Sequence, residues 1–200
     1  MYKFAAVIVE TRPIANIEYI IKRHLCKLNN EWELFIFHGD KNAHLFDRLQ
    51  AKKFNIHNIG LKEYNRLLTS AGFWHQIPHE KILIFQHDSM LLKKDIEKFL
   101  EWDFVGAPLK DGKQNGGLSI RSKNIMLKAI KRYNYRSGNE DIFFCSMIPR
   151  IGGKMAPLSV AQEFSCESIF RLNTYGYHGI NKWLNSSQCR MIATQYISML

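Results

Sequence analysis

Apolar positions along this chain follow two periods. Lys3–Glu10 (KFAAVIVE), Trp32–Gly39 (WELFIFHG) and Glu80–Gln86 (EKILIFQ) are short, nearly unbroken apolar runs, the pattern of strands buried on both faces. Pro13 closes off the first, because proline lacks the N–H that a ladder position needs. Between these runs the spacing changes to three and four. Ile17, Ile20, Ile21, His24, Leu25 and Leu28 share one helical face, with Asn16 as the expected N-cap. The spacing predicts a short helix in HLFDRLQAKKF (44–54) and a longer one in LKEYNRLLTSAGFWHQI (61–77), broken near Gly72. Phe73 and Trp74 are expected in the core. FVGAPL (104–109) and GGLSIRS (116–122) read as shorter strands, and NEDIFFCSMIPRI (139–151) as a helix ended by the Ile148-Pro149 step. From Ile180 onward the pattern is weak and a single helix is expected.

Strands alternating with helices over the first half predict an α/β/α sandwich around a mostly parallel central sheet. No repeat, low-complexity segment or linker divides the 200 residues, so one domain spanning 1–200 is expected. With 46% hydrophobic and 23% charged residues, the chain can bury a core and is not a disordered segment. Its first apolar run is too short to cross a bilayer and carries no cleavage signal, which predicts a soluble, cytoplasmic protein. Cys26, Cys145, Cys166 and Cys189 lack the paired spacing of a zinc site.

Charge narrows the partners. Twenty-eight Lys and Arg against 18 Asp and Glu give a net charge of +10, a surface that attracts phosphates, nucleic acid or an acidic membrane face. The basic residues are scattered or paired, as in Lys22-Arg23 and Lys131-Arg132, without the long tract of a nucleic-acid arm. The aromatic-basic stretch Lys131–Arg136 (KRYNYR) supports a rival reading, a non-catalytic nucleotide or nucleic-acid binding module with a basic surface.

Open α/β sheets bind ligands beyond the carboxyl ends of their strands. This chain carries Glu10-Thr11-Arg12, His38-Gly39-Asp40 and Gln86-His87-Asp88 there, each of which is also ordinary turn chemistry. The Rossmann glycine fingerprint, the P-loop, the nucleophile elbow and HExxH are all missing from the sequence. A strand running into Gln86-His87-Asp88-Ser89 resembles the DxD region of GT-A glycosyltransferases, without the first aspartate. NGGLSIRS (115–122) resembles their Asn-Gly-Gly strand, GNEDIFF (138–144) their acidic acceptor-side motif, and YGYHG (175–179) their late metal-binding histidine. With VIVETRP, YNRLL, FW, FQHDS, GAP, NGGLS, NED and GYH in order, the chain is similar to a group of small glycosyltransferase-like proteins over nearly all residues to about Gly179. Small viral glycosyltransferases are similar too.

The resemblance implies a single-domain GT-A-like fold, with a nucleotide-binding half at about 1–105, an acceptor and sugar half at about 106–180 and a tail at 181–200. It implies transfer of a sugar from a nucleotide-diphosphate sugar, UDP-linked by expectation, to a glycan, glycoprotein or lipid-linked acceptor as in polysaccharide biosynthesis. Peripheral membrane association fits that acceptor class, and no specific nucleic acid is expected. Asp88 and His178 would hold Mn²⁺ or Mg²⁺ on the diphosphate, the imidazole tilting the choice toward Mn²⁺. Thr11, Arg12, Tyr64, Asn65 and Gln86 would meet the nucleoside, and Asn115, Gly116 and Gly117 the sugar. Asp141 would act as general base with Glu140 as its acceptor-binding neighbour, although two acids opening a helix also complement its dipole. Strand alternation would turn His87 away from the face shared by Gln86 and Asp88. An inactive relic of the fold is a third reading.

Overall fold

The first apolar run is strand β1 (Phe4–Glu10). Its Ala6 and Ile8 enter one core with Phe85 and with Ile17 and Ile21 of helix α1 (Ile17–Leu25). Ala5, Val7 and Val9 enter a second core with Phe35, Phe37, Trp74 and Phe144. A strand covered on both faces needs apolar residues at successive positions, so its pattern is a run and not an alternation. The structure, a computed structural model, describes residues 1–197. The last three residues of the expected tail 181–200 lie outside the described residues.

The remaining strands are β2 (Trp32–His38), β3 (Lys52–Asn55), β4 (Lys81–Phe85), β5 (Ser89–Leu91), β6 (Phe104–Pro108), β7 (Gln114–Ser122), β8 (Ser165–Cys166) and β9 (Gly176–His178). Six form the central sheet in the order β3-β2-β1-β4-β7-β6. β3, β2, β1 and β4 pair in parallel, and β7 runs against both β4 and β6. This is the mostly parallel α/β architecture that the pattern predicts. A small sheet, β5-β9-β8, stands apart. Its antiparallel β5–β9 pair sets Ser89 opposite His178, which carries the late segment onto the turn after β4.

Around the sheet lie α2 (Leu61–Leu68), α3 (Ala71–His75), α4 (Lys123–Arg132), α5 (Glu140–Met147), α6 (Leu158–Phe164) and α7 (Ser186–Ile197). Phe73 and Trp74 are buried, as expected. Several local expectations need correction. Residues 44–54 are not a helix: a single turn at Ala43–Phe46 precedes the edge strand β3. Phe46 and Leu49 pack with helical spacing, while Lys52 and Lys53 protect a sheet edge and blur the strand pattern. The break in 61–77 comes at Thr69-Ser70, before Gly72, because the Ser70 hydroxyl caps α3 by accepting the Phe73 N–H. Asn16 sits at the N-cap of α1, but its side chain makes no capping bond. Among the described residues no helix is long and apolar enough to cross a membrane.

Candidate functional site

A cavity of about 270 Å³ opens at the carboxyl ends of β1 and β4. Topology puts it there: β1 connects to β2 on one side, while β4 lies on the other, and the diverging connections leave a crevice. Glu10, Thr11 and Arg12 form one wall, and Gln86, His87 and Asp88 the opposite one. The segment Ile59–Leu61 with Tyr64, and Lys182 from the far end of the chain, complete the lining.

The β1 wall is built on a buried carboxylate. Glu10 accepts from Arg12 Nε at 2.9 Å and Arg12 Nη2 at 2.7 Å, so the guanidinium is held flat and its far edge stays in solvent. Burial works to raise the Glu10 carboxyl, but contacts with His87 and Arg12 outweigh it and hold the group at about 2. His87 Nδ1 stands 3.0 Å from Arg12 Nη2 and 3.3 Å from Glu10 Oε2. It accepts from the first or donates to the second, according to tautomer, and Arg12 keeps Glu10 ionised either way. Thr11 turns inward: its hydroxyl exchanges hydrogen bonds with the N–H and C=O of Ile59, both 3.2 Å. It anchors the segment that leads into α2.

The β4 wall differs from a strand continuation. Residues 87 and 88 form a turn, closed by the Ser89 N–H on the Gln86 carbonyl at 3.1 Å. Strand alternation therefore does not apply, and His87 faces the same cavity as Gln86 and Asp88. Asp88 Oδ2 accepts from Lys182 Nζ at 2.7 Å. Its Oδ1 is buried without a hydrogen-bond partner, although His178 Nε2 lies 3.3 Å away, because that nitrogen is aimed at Gln86 Oε1 at 3.0 Å. Burial works to raise the Asp88 carboxyl, yet His178 and Lys182 hold it well below the usual carboxylate range. Burial likewise opposes charge on His178, yet Asp88 and Glu167 raise it to about 9. The Glu167 Oε1–His178 Nδ1 distance is 3.5 Å, close enough for charge attraction, while the hydrogen bond of Nε2 goes to Gln86 Oε1.

Asp88 and His178 stand together, as the resemblance implies for a metal pair, but His178 Nε2 donates to Gln86 Oε1 and the ring holds its proton, so a cation would be held there only once that proton leaves. Among the described residues no group of three or more His, Cys, Asp or Glu could hold a metal ion. The other coordination positions would have to come from phosphate oxygens and water.

Gln86 and Tyr64 stiffen this wall. Gln86 Nε2 donates to the Tyr64 hydroxyl at 2.9 Å while its oxygen serves His178. Asn65 does not reach the cavity: its Oδ1 accepts the Glu140 N–H at 2.8 Å and its Nδ2 donates to the Leu61 carbonyl. It caps α5 from a neighbouring helix, while Asn139 at the N-cap position makes no such bond.

The Asn-Gly-Gly strand and the start of α5 lie beside the cavity, not in its lining. Glu140 is gripped by the fully buried Arg121 at 2.6 and 2.9 Å, and the guanidinium lies over the rings of Phe104 and Phe144. Burial drives the Glu140 carboxyl up, but a guanidinium that keeps its proton holds the pair ionised. Asp141 is buried too, and accepts the Gly116 N–H at 2.9 Å and the Ile142 N–H at 2.7 Å. Both glycines are explained by side chains. A Cβ on Gly116 would stand 2.2 Å from Arg121 Nη2, and one on Gly117 2.2 Å from His178 Nε2. Asn115 Oδ1 accepts the Gly117 N–H at 2.6 Å and tightens the start of β7.

The pattern reading missed Lys182 and Glu167 and gave Glu10 no role. Lys182 follows the YGYHG motif at three residues past Gly179, which was the available signal. Glu167 sits in an unpatterned stretch, and only the β8–β9 pairing brings it to His178.

A family model described as "Protein of unknown function (DUF5672)" matches residues 48–178. No curated protein matches the chain. Among solved structures, the chain is similar to the apo-form glycosyltransferase GlyE of Streptococcus pneumoniae TIGR4, with TM-score 0.60 and 12% identity. That likeness covers 100% of this chain and 60% of the GlyE chain, so the protein spans well under two thirds of it. It is also similar to 4-diphosphocytidyl-2C-methyl-D-erythritolsynthase of Anaerococcus prevotii DSM 20548, with TM-score 0.49 and 9% identity over 72% of this chain and 81% of that one. At 12% identity the likeness to GlyE is one of fold, and the fold is GT-A-like.

Proposed function

The chain belongs to that family, the proteins of unknown function DUF5672, and we propose that it transfers a sugar from a nucleotide-diphosphate sugar to a saccharide-bearing acceptor. The observation that carries the reading is the pairing of Asp88, which lines the strand-end cavity, with the buried His178, 90 residues away in the chain. The nucleoside lies in the cavity between Arg12 and Tyr64, with the guanidinium edge of Arg12 open to a base or phosphate. The diphosphate lies against Lys182 and the Asp88–His178 pair. A divalent cation bound there would place positive charge on the departing diphosphate. In the reaction, the bond from C1 of the sugar to the phosphate oxygen breaks with its electrons on that oxygen. The acceptor oxygen bonds to C1 and gives up its proton.

The chain's own residues prepare this chemistry before the donor arrives. Glu10 fixes Arg12, Gln86 fixes the imidazole of His178, and Gly117 leaves room for that ring. Fixed charges of this kind need little reorganisation as the leaving group gains charge. Asn115 at the start of β7 and Asp141 in the first turn of α5 lie beside the cavity and are assigned the shaping of the sugar side.

A thermal-shift panel tests the reading. Nucleoside diphosphates with Mn²⁺ should raise the melting temperature, and their sugar conjugates should be consumed with release of the diphosphate. The binding-module reading draws on a basic hollow lined by Lys128, Lys131, Arg132 and Arg150. A rise with single-stranded RNA and none with nucleoside diphosphates would support it and overturn the transferase.

A further inference from the structure

A second, larger cavity of about 730 Å³ opens on the other side of the turn after β4. Its walls are α1, β5, the segment Tyr177–Lys182 and α7. His87, Asp88 and Lys182 line this cavity and the first one alike. A molecule in the second cavity therefore touches the point at which the donor's diphosphate ends.

The lining has two kinds of surface. Tyr19, a residue 60% exposed, stands with Ile20, Met90 and Tyr177 as an aromatic and apolar side. Asn16, Asn181, Ser89 and Arg190 supply amide, hydroxyl and guanidinium groups. A pyranose ring has one apolar C–H face and a rim of hydroxyls, and it needs both surfaces together. A lipid chain would leave the two amides and Arg190 unpaired, at a cost. The volume falls inside the roughly 300–1,000 Å³ range of small-ligand sites.

We propose that this second cavity holds the body of the saccharide acceptor, with Tyr19 as stacking platform and the Arg190 guanidinium donating N–H bonds to its hydroxyl oxygens. The proposal rests on the transferase reading above, and it places the acceptor on the α1 and α7 side, away from the α5 side that the GT-A resemblance implies.

The test uses the full chain and an array of oligosaccharides of two to four hexose and N-acetylhexosamine units. Binding is read with Mn²⁺ and whichever of UDP, GDP, CDP and ADP the parent binds best. The parent should retain a subset of the array. Tyr19→Ala and Arg190→Ala should each weaken that binding by about tenfold or more. Tyr19→Phe, which keeps the ring, should stay near the parent. All three variants should bind the nucleoside diphosphate within about twofold of the parent, because neither residue lines the first cavity. Saccharide binding unchanged in both alanine variants, or no saccharide bound by a parent that does bind a nucleoside diphosphate, overturns the acceptor assignment and leaves the donor site standing. A parent that binds no nucleoside diphosphate overturns both.

Discussion

Glu140 at the start of α5 and Asp88 after β4 each face a cation, and their surroundings make them opposite cases. Arg121 and Glu140 are shut away from water, with side-chain exposures of 0% and 5%. The Asp88 carboxylate keeps 22% and its partner Lys182 63%. One pair closes a gap between β7 and α5. The other leaves a carboxylate oxygen without a partner beside an oriented histidine, on a wall shared by two cavities. Burial with full hydrogen bonding marks structure here, and partial burial with an unmet oxygen marks a place for a ligand.

The largest expected effect falls on the closed pair. Glu140→Ala strands the Arg121 charge in the core and should cost about 3–5 kcal/mol, read as a fall in the urea midpoint. A loss under about 1 kcal/mol would erase the contrast between the two pairs.

Asp141→Asn asks whether the closed region also does chemistry. A general base would lose roughly 10²–10⁴ in turnover at unchanged donor affinity. We expect the other outcome, a change within about tenfold that follows donor affinity, because Asp141 is bonded to the Gly116 N–H on the strand that carries Gly117 and lines neither cavity.

The open cluster should show itself through pH. His178 is raised to about 9 in the folded protein, from an ordinary value of 6.5. Its stabilising contribution is fully present below pH 6.5 and is lost as the pH rises through about 9. The shift is worth on the order of 3 kcal/mol. Urea midpoints in chelator at pH 6 and 9.5 should differ more for the parent than for His178→Gln, and equal differences would remove His178 from the ion pair.

Gly117→Ala pushes a methyl group onto the His178 ring and should cost about 1–3 kcal/mol, together with weakened nucleoside-diphosphate binding. Parental binding in that variant would detach the glycine from the site.

The two regions also differ in how far the sequence exposes them. The central strands were legible because burial on both faces leaves unbroken apolar runs, as in Ala5–Val9 and Ile82–Phe85. β3 was not, because an edge strand is written in lysines. The acids were legible as motifs, but their partners were not. Glu140 and Asp88 stand in equally polar triplets, and only the β7–α5 contact reveals Arg121. Lys182 and Glu167 reach the open cluster through long-range pairing that leaves no local pattern. Asn65 shows the converse: it lies beside Tyr64 on α2, but the fold spends it on the N-terminus of α5.

The account turns on Asp88, and calorimetric titration of the nucleoside diphosphate into parent and Asp88→Asn, with Mn²⁺ and in chelator, tests it most directly. Removing this carboxylate lets Lys182 return to water but takes the main counter-charge from the buried His178, so stability should fall by about 1–3 kcal/mol without unfolding the protein. The account predicts that Mn²⁺ tightens binding to the parent by tenfold or more and leaves binding to Asp88→Asn unchanged. Equal tightening by Mn²⁺ in parent and variant would contradict it.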